Sequence, residues 1–329
     1  MQADPQRIDA CVQRLRSGGL VAFPTETVYG LGAIATDEAA VGRVYALKGR
    51  PSSNPLIVHV DGAESARRYV AHWPERAQRL SEAFWPGPLT LVLPKAPVVP
   101  GVVTGGGETV GVRCPDHPLT LALLETLGEG LVGPSANPSG GVSPTCAQHV
   151  RDAFSEAQVM VLDGGACRAG IESTVLDLTT TPARVLRPGV LGAERLSEVL
   201  GEPVEGPGGE VGDGEVRSPG VLGPHYAPRA RTCLYETGEE LAALRASCRG
   251  LLVVLSPVEE RVAGEAHVLR LPEDAGGYAA RLYAALREGD ALGAAMIAVR
   301  RPPFREGSPE DRAIWEGVLD RLSRAADSE

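Results

Sequence analysis

Lysine is nearly absent from this 329-residue chain: of 32 basic residues, only Lys48 and Lys95 are lysines, and aromatic residues make up 4%. A residue type used so sparingly carries information by its position. No apolar run approaches the ~18 residues that a membrane span needs, and Met1–Ala10 is polar, without the apolar centre of a secretory leader. The six cysteines, Cys11, Cys114, Cys146, Cys167, Cys233 and Cys248, form no C-x-x-C pair. Their irregular spacing fits neither a zinc ribbon nor a disulfide framework, so a reducing, cytoplasmic setting is expected. There is no G-x-x-x-x-G-K-[ST] phosphate loop, no internal repeat and no heptad pattern. The net charge of −10 argues against a broadly basic nucleic-acid surface or an anionic-membrane binder.

What is present favours a folded chain: 43% hydrophobic and 22% charged residues support a core. The length predicts about two domains. Glycine (40) and proline (27) together make up about a fifth of the chain, which predicts many turns and ordered loops whose backbone can contact ligands. Hydrophobic spacing predicts a helix over 6–16, a buried strand over 20–23, a helix over 38–47 and a strand over 56–60. Alternation continues with helices over 63–71, 75–84, 118–127, 146–155 and 193–200. The strands interspersed among them fall at 89–93, 110–113, 130–132, 159–162, 173–178 and 184–186. This is an α/β pattern with a mixed, twisted sheet. Glycine and proline cluster from Gly201 to about Arg231, as a linker does. Strands over 251–255, 267–271 and 294–299, with helices over 278–287 and 309–322, then predict a smaller α/β domain.

Several segments at strand ends carry chemistry. The loop Phe23–Leu31 (FPTETVYGL) follows a buried strand and brings two threonines, a glutamate and a tyrosine to the position where open α/β sheets hold ligands. A turn braced by its own threonines is an equal alternative. Lys48-Gly-Arg50 places one of two lysines beside an arginine, suited to a polyanion, with Asn54 and His59 flanking the next strand. Arg113 ends an apolar strand, where a buried charge needs a carboxylate or a phosphate; Asp116 is one internal candidate. The loop 133–143, with Ser135, Asn137 and Ser143, can form a phosphate nest. Ser173, Thr174 and Arg187 stand beside further strand ends. Together these suit a nucleotide- and carboxylate-binding enzyme with no metal-ligand cluster.

The ordered motifs PTETVYGLGA (24–33), KGRPSSNPLIVHV (48–60), FWPGPLTLVL (84–93), VGVRCPDHP (110–118), PSANPSGGVSPT (134–145), IESTVLDLT (171–179) and LRPG (186–189) resemble the YrdC/Sua5 family of threonylcarbamoyl-AMP synthases. The segment SPGVLGPHYAP (218–228) resembles the longer Sua5 form. The resemblance implies a YrdC-like catalytic domain over 1–204, a linker with a HYAP motif over 205–231 and a Rossmann-like Sua5-type C-terminal domain over 232–329. It implies that L-threonine, bicarbonate and ATP, with Mg²⁺, give L-threonylcarbamoyl-AMP, pyrophosphate and water. The product would pass to a TsaD-type transferase complex for the t6A37 modification of tRNA, with little direct RNA binding by a domain whose residues 1–200 carry a charge of −3. Carried onto matching positions, Thr27, His59, Arg113, Gly133 and Ser173 would hold threonine. Lys48, Arg50, Asn54, Thr109, Ser135, Asn137, Ser143 and Arg187 would surround ATP, with Tyr226 closing over it and Lys48 and Arg50 acting in catalysis. The linker departs from the family pattern at Val221, Leu222 and Gly223. An RNA-binding module and a carbamoyl-transfer enzyme of the hydrogenase-maturation type remain alternatives at this level.

Overall fold

The computed structural model describes residues 4–207, 226–302 and 307–326. Residues 221–223 and His225 lie outside them. The first region carries a mixed sheet whose strands are, in chain order, β1 (Leu20–Phe23), β2 (Gly30–Ile34), β3 (Ile57–His59), β4 (Leu89–Pro94), β5 (Thr109–Arg113), β6 (Leu131–Val132), β7 (Val159–Val161), β8 (Thr174–Asp177), β9 (Ala183–Arg187) and β10 (Val204–Glu205). Their spatial order is β10-β9-β8-β4-β5-β3-β6-β2-β1-β7. The central strands are buried along their length, as expected where both faces of a sheet are covered.

The helices start and stop where local chemistry dictates. Asp4 caps Pro5–Arg16 and Asp37 caps Glu38–Lys48, each side chain accepting from a first-turn amide. Gly49 then takes the left-handed conformation that ends the second helix and leaves Lys48 at its last position. The expected helix over 63–71 is only Ala63–Ala66. Strand β2 was not expected. The reason for its glycines is steric: a Cβ on Gly30 would lie 2.6 Å from the Phe23 ring of the neighbouring strand.

The second region holds β11 (Arg231–Tyr235), β12 (Leu252–Ser256), β13 (Ala266–Arg270) and β14 (Met296–Arg300), all parallel, in the order β11-β14-β12-β13. Helices Ala275–Ala291 and Pro309–Ala325 cover the face that meets the first region. Strand β11 and helix Gly238–Ser247 were not expected. The helix is short, and its N-terminus is fixed by a Thr237–Glu240 capping box rather than by a long apolar stripe.

Candidate functional site

A cleft, open in part to solvent, lies where the ends of β1, β3, β5 and β9 meet the loops 24–30, 133–135 and 171–173. Of the residues anticipated from sequence, Thr27, Arg50, His59, Arg113, Gly133, Ser135, Ser173, Arg187 and Tyr226 line it. Register explains part of this convergence, since β3 pairs with β5 so that His59 stands opposite Arg113.

The 24–30 loop is braced by one of its own threonines, and Thr27 lines the cleft. Thr25 Oγ accepts from the amides of Thr27 and Val28 and donates to the Val28 carbonyl, bracing the turn. Thr27 instead accepts from Arg113 Nη2 at 3.0 Å. Arg113 pairs with buried Glu26 at 2.8 Å, not with Asp116, whose partner is the exposed Arg168. Glu26 Oε1 has no hydrogen-bond partner among the described residues.

Arg50 is buried and has only carbonyl partners among the described residues, those of Asn54 and Pro55. Arg187 donates to the carbonyl and hydroxyl of Ser173. Burial lowers the pKa of both guanidiniums from the usual arginine value; Arg187 adds to the effect on Arg50, and Arg321 and Arg113 add to that on Arg187. Cations placed this way favour an entering polyanion, which relieves their desolvation.

His59 is buried edge-on to Phe23, ring centres 5.3 Å apart, and its Nδ1 has no partner among the described residues. Burial, then the charge of Arg113, pushes its pKa down to about 3. At neutral pH it is an uncharged imidazole suited to a hydrogen bond, not a cation. Gly133 is required beside it, because a Cβ there would lie 2.6 Å from Nδ1.

Other anticipated residues build the wall from behind. Lys48 Nζ donates to the carbonyls of Ser135 and Asn137, the first at 2.6 Å, and is fully enclosed. Burial, then Arg50, pushes its pKa well below the usual lysine value. The single early lysine therefore ties the 133–141 loop to the helix end rather than reaching into the cleft. Asn137 braces the same loop through Pro138 and Gly141, and Ser143 donates to Glu172 at 2.7 Å. Asn54 is buried beside Arg50 with its Oδ1 unpartnered among the described residues. Thr109 is not brought to the cleft: it stands at the opposite end of β5 from Arg113, about 13 Å away at the rise of a strand.

Sequence reasoning missed Glu172, which lines the cleft, and the second-region residues behind it, Tyr283 and Arg321. A signal existed for Arg321. It falls on the apolar stripe of its helix with Trp315, Val318, Leu322 and Ala325, where a charge needs a partner.

Residues 13–189 match the Sua5/YciO/YrdC family, described as telomere recombination, and residues 191–327 match the threonylcarbamoyl-AMP synthase C-terminal domain. The threonylcarbamoyl-AMP synthase of Pyrococcus abyssi is 40% identical over 321 residues, covering 95% of this chain and 92% of that protein. The Bacillus subtilis synthase is 44% identical over 239 residues, covering 72% of this chain and 68% of its own length. A crystal structure of P. abyssi Sua5 complexed with L-threonine superimposes with a TM-score of 0.89 at 39% identity, covering 99% of this chain and 96% of the other. The chain belongs to the Sua5/YciO/YrdC family.

Proposed function

We propose that the chain is an L-threonylcarbamoyl-AMP synthase, a nucleotidyltransferase that joins L-threonine, bicarbonate and ATP. The observation that carries this reading is one cleft lined by Arg50 and Arg187 together with Thr27, His59, Arg113 and Ser173. The relatives named above are synthases of this kind, and the P. abyssi structure holds L-threonine.

In the reaction, threonine's amine and bicarbonate form a carbamate with loss of water. A carbamate oxygen then attacks the α-phosphorus of ATP, and pyrophosphate leaves with the bonding electron pair. No covalent enzyme intermediate is needed, so the residues act by positioning and charge stabilisation. Arg113, held by Glu26 and Thr27, would receive the threonine carboxylate. Neutral His59 and the Ser173 hydroxyl would hold its polar groups. Arg50 and Arg187 would take the phosphates, with Ser135, Asn137 and Ser143 shaping the nucleotide side and Lys48 fixing that loop. Glu172 on the cleft wall and Glu26 beside Arg113 are each engaged by an arginine, so Mg²⁺ is taken as part of the substrate, MgATP. Shielding of the carbamate and the mixed anhydride from water would follow from cover at Tyr226. The product's place is then as donor to a TsaD-type transferase acting on tRNA A37.

The test is pyrophosphate release from MgATP with threonine and bicarbonate omitted in turn. Release that needs both supports the synthase. Release that needs neither marks a plain ATPase, and salt-dependent tRNA binding without turnover marks an RNA-binding module.

A further inference from the structure

Glu172 is a buried carboxylate on the cleft wall, and most of what holds it comes from the second region. Its Oε1 accepts from Ser143, while its Oε2 accepts from the Tyr283 hydroxyl at 2.9 Å and from Arg321 Nε at 3.1 Å. Arg321 is 0% exposed. It also donates to the carbonyls of Glu172, Pro188 and Gly317 and pairs with Asp320. Its guanidinium lies 5.8 Å from the ring centre of Tyr226, and that ring stacks on Tyr283 at 5.6 Å. Tyr226 keeps a left-handed backbone, φ 64°, which a residue with a Cβ adopts only when its surroundings enforce it.

The two regions are fitted closely here. A Cβ on Gly170 would meet the Ala279 carbonyl at 2.4 Å, and one on Gly317 would lie 2.9 Å from Ile171. Helices Ala275–Ala291 and Pro309–Ala325 therefore press directly on the segment carrying Glu172.

The charges explain why this matters. Burial by itself would raise the Glu172 pKa, but Arg321, Arg187 and the Ser143 hydroxyl outweigh it and hold the carboxyl ionised below its usual range. An ionised, buried carboxylate next to Arg187 attracts that guanidinium. With Arg321 in place, Arg187 makes hydrogen bonds to Ser173 and the ion pair at Glu172 belongs to Arg321.

We propose that the second region is a working part of the cleft: Arg321 and Tyr283 are positioning residues that occupy Glu172 and hold Tyr226, so that Glu172 does not draw Arg187 from its place on the cleft wall. The inference deepens the synthase reading and rests on the cleft being a nucleotide site.

The test uses the full chain and measures ATP and threonine binding by calorimetry, with steady-state kinetics beside it. Arg321→Met leaves Glu172 to compete for Arg187, and ATP affinity falls about tenfold or more while threonine affinity changes less than about threefold. Removing the competing charge as well, in Arg321→Met with Glu172→Gln, restores ATP affinity to within about threefold of the unsubstituted chain. Arg321→Lys, which keeps the charge without the fork, falls between. A folded double variant no better than Arg321→Met shows that Arg321 only docks the domain, and overturns the inference. Equal ATP binding by Arg321→Met and the unsubstituted chain defeats the inference alone. Failure of the unsubstituted chain to bind ATP defeats the nucleotide reading and the inference together.

Discussion

Both sheets end in clusters of charged and polar groups, but the clusters are satisfied differently. At the ends of β11, β12 and β14, Glu260 accepts from the Tyr235 hydroxyl, the Ser256 hydroxyl and Arg300, so cation, hydroxyls and carboxylate close on one another. Around the ends of β3 and β5, the cation Arg50 meets only carbonyls among the described residues, and His59 Nδ1 and Glu26 Oε1 lack partners there. A self-satisfied cluster stabilises a fold. Buried groups left with unused hydrogen-bonding capacity are what a ligand completes.

Substitutions on the two sides should therefore separate turnover from stability. Arg50→Ala removes a cleft cation whose described partners are only carbonyls, and pyrophosphate release should drop on the order of 10²–10³-fold or more with the melting transition preserved. Near wild-type turnover would remove Arg50 from the site. Lys48→Ala should be equally inactive but also less stable, by about 1–3 kcal/mol, because two loop carbonyls lose their donor; circular dichroism melts distinguish the two variants.

Ser173→Ala sharpens the division within the cleft. Its hydroxyl bonds both Thr90 and Arg187, and the threonine requirement should rise about tenfold, more than the ATP requirement. The opposite order in steady-state titrations would exchange the two subsites.

The pH dependence of stability tests the same cleft without any substrate. With His59 at about 3 in the fold against an ordinary 6.5, the unfolded chain takes up a proton that the folded one refuses. Its contribution to stability is complete above 6.5 and is lost as pH falls towards 3, at up to about 1.4 kcal/mol per pH unit. Denaturant unfolding at several pH values between 7.5 and 4 should show a shallower decline for His59→Asn; equal slopes would rule out a buried neutral imidazole.

The smallest effect lies in the second sheet. Tyr235→Phe deletes one bond to Glu260 and should lower stability by about 1 kcal/mol while leaving turnover unchanged. A marked loss of turnover would mean that this closed cluster also serves the reaction.

Much of the first region was legible because strands such as β4 and helices such as Glu75–Phe84 carry their periodicity locally. Strand β2 was not, because its glycines answer to Phe23 on another strand. Within the site, the charges of Arg50, Arg113 and Arg187 stood out, since arginines at apolar strand and helix ends demand partners. Which partners they take was not readable: Arg113 chose Glu26 across the fold over the nearby Asp116.

The sequence by itself determined the α/β alternation, the family and the set of cations near strand ends, all of which follow from local spacing and motif order. Only the tertiary structure decided that Lys48 braces a loop, that Thr109 stands away from the cleft and that Arg321 reaches Glu172 from the second region. Those outcomes depend on which buried charges and carbonyls meet across distant segments. Desolvation makes such pairings compulsory, and spacing along the chain does not encode them.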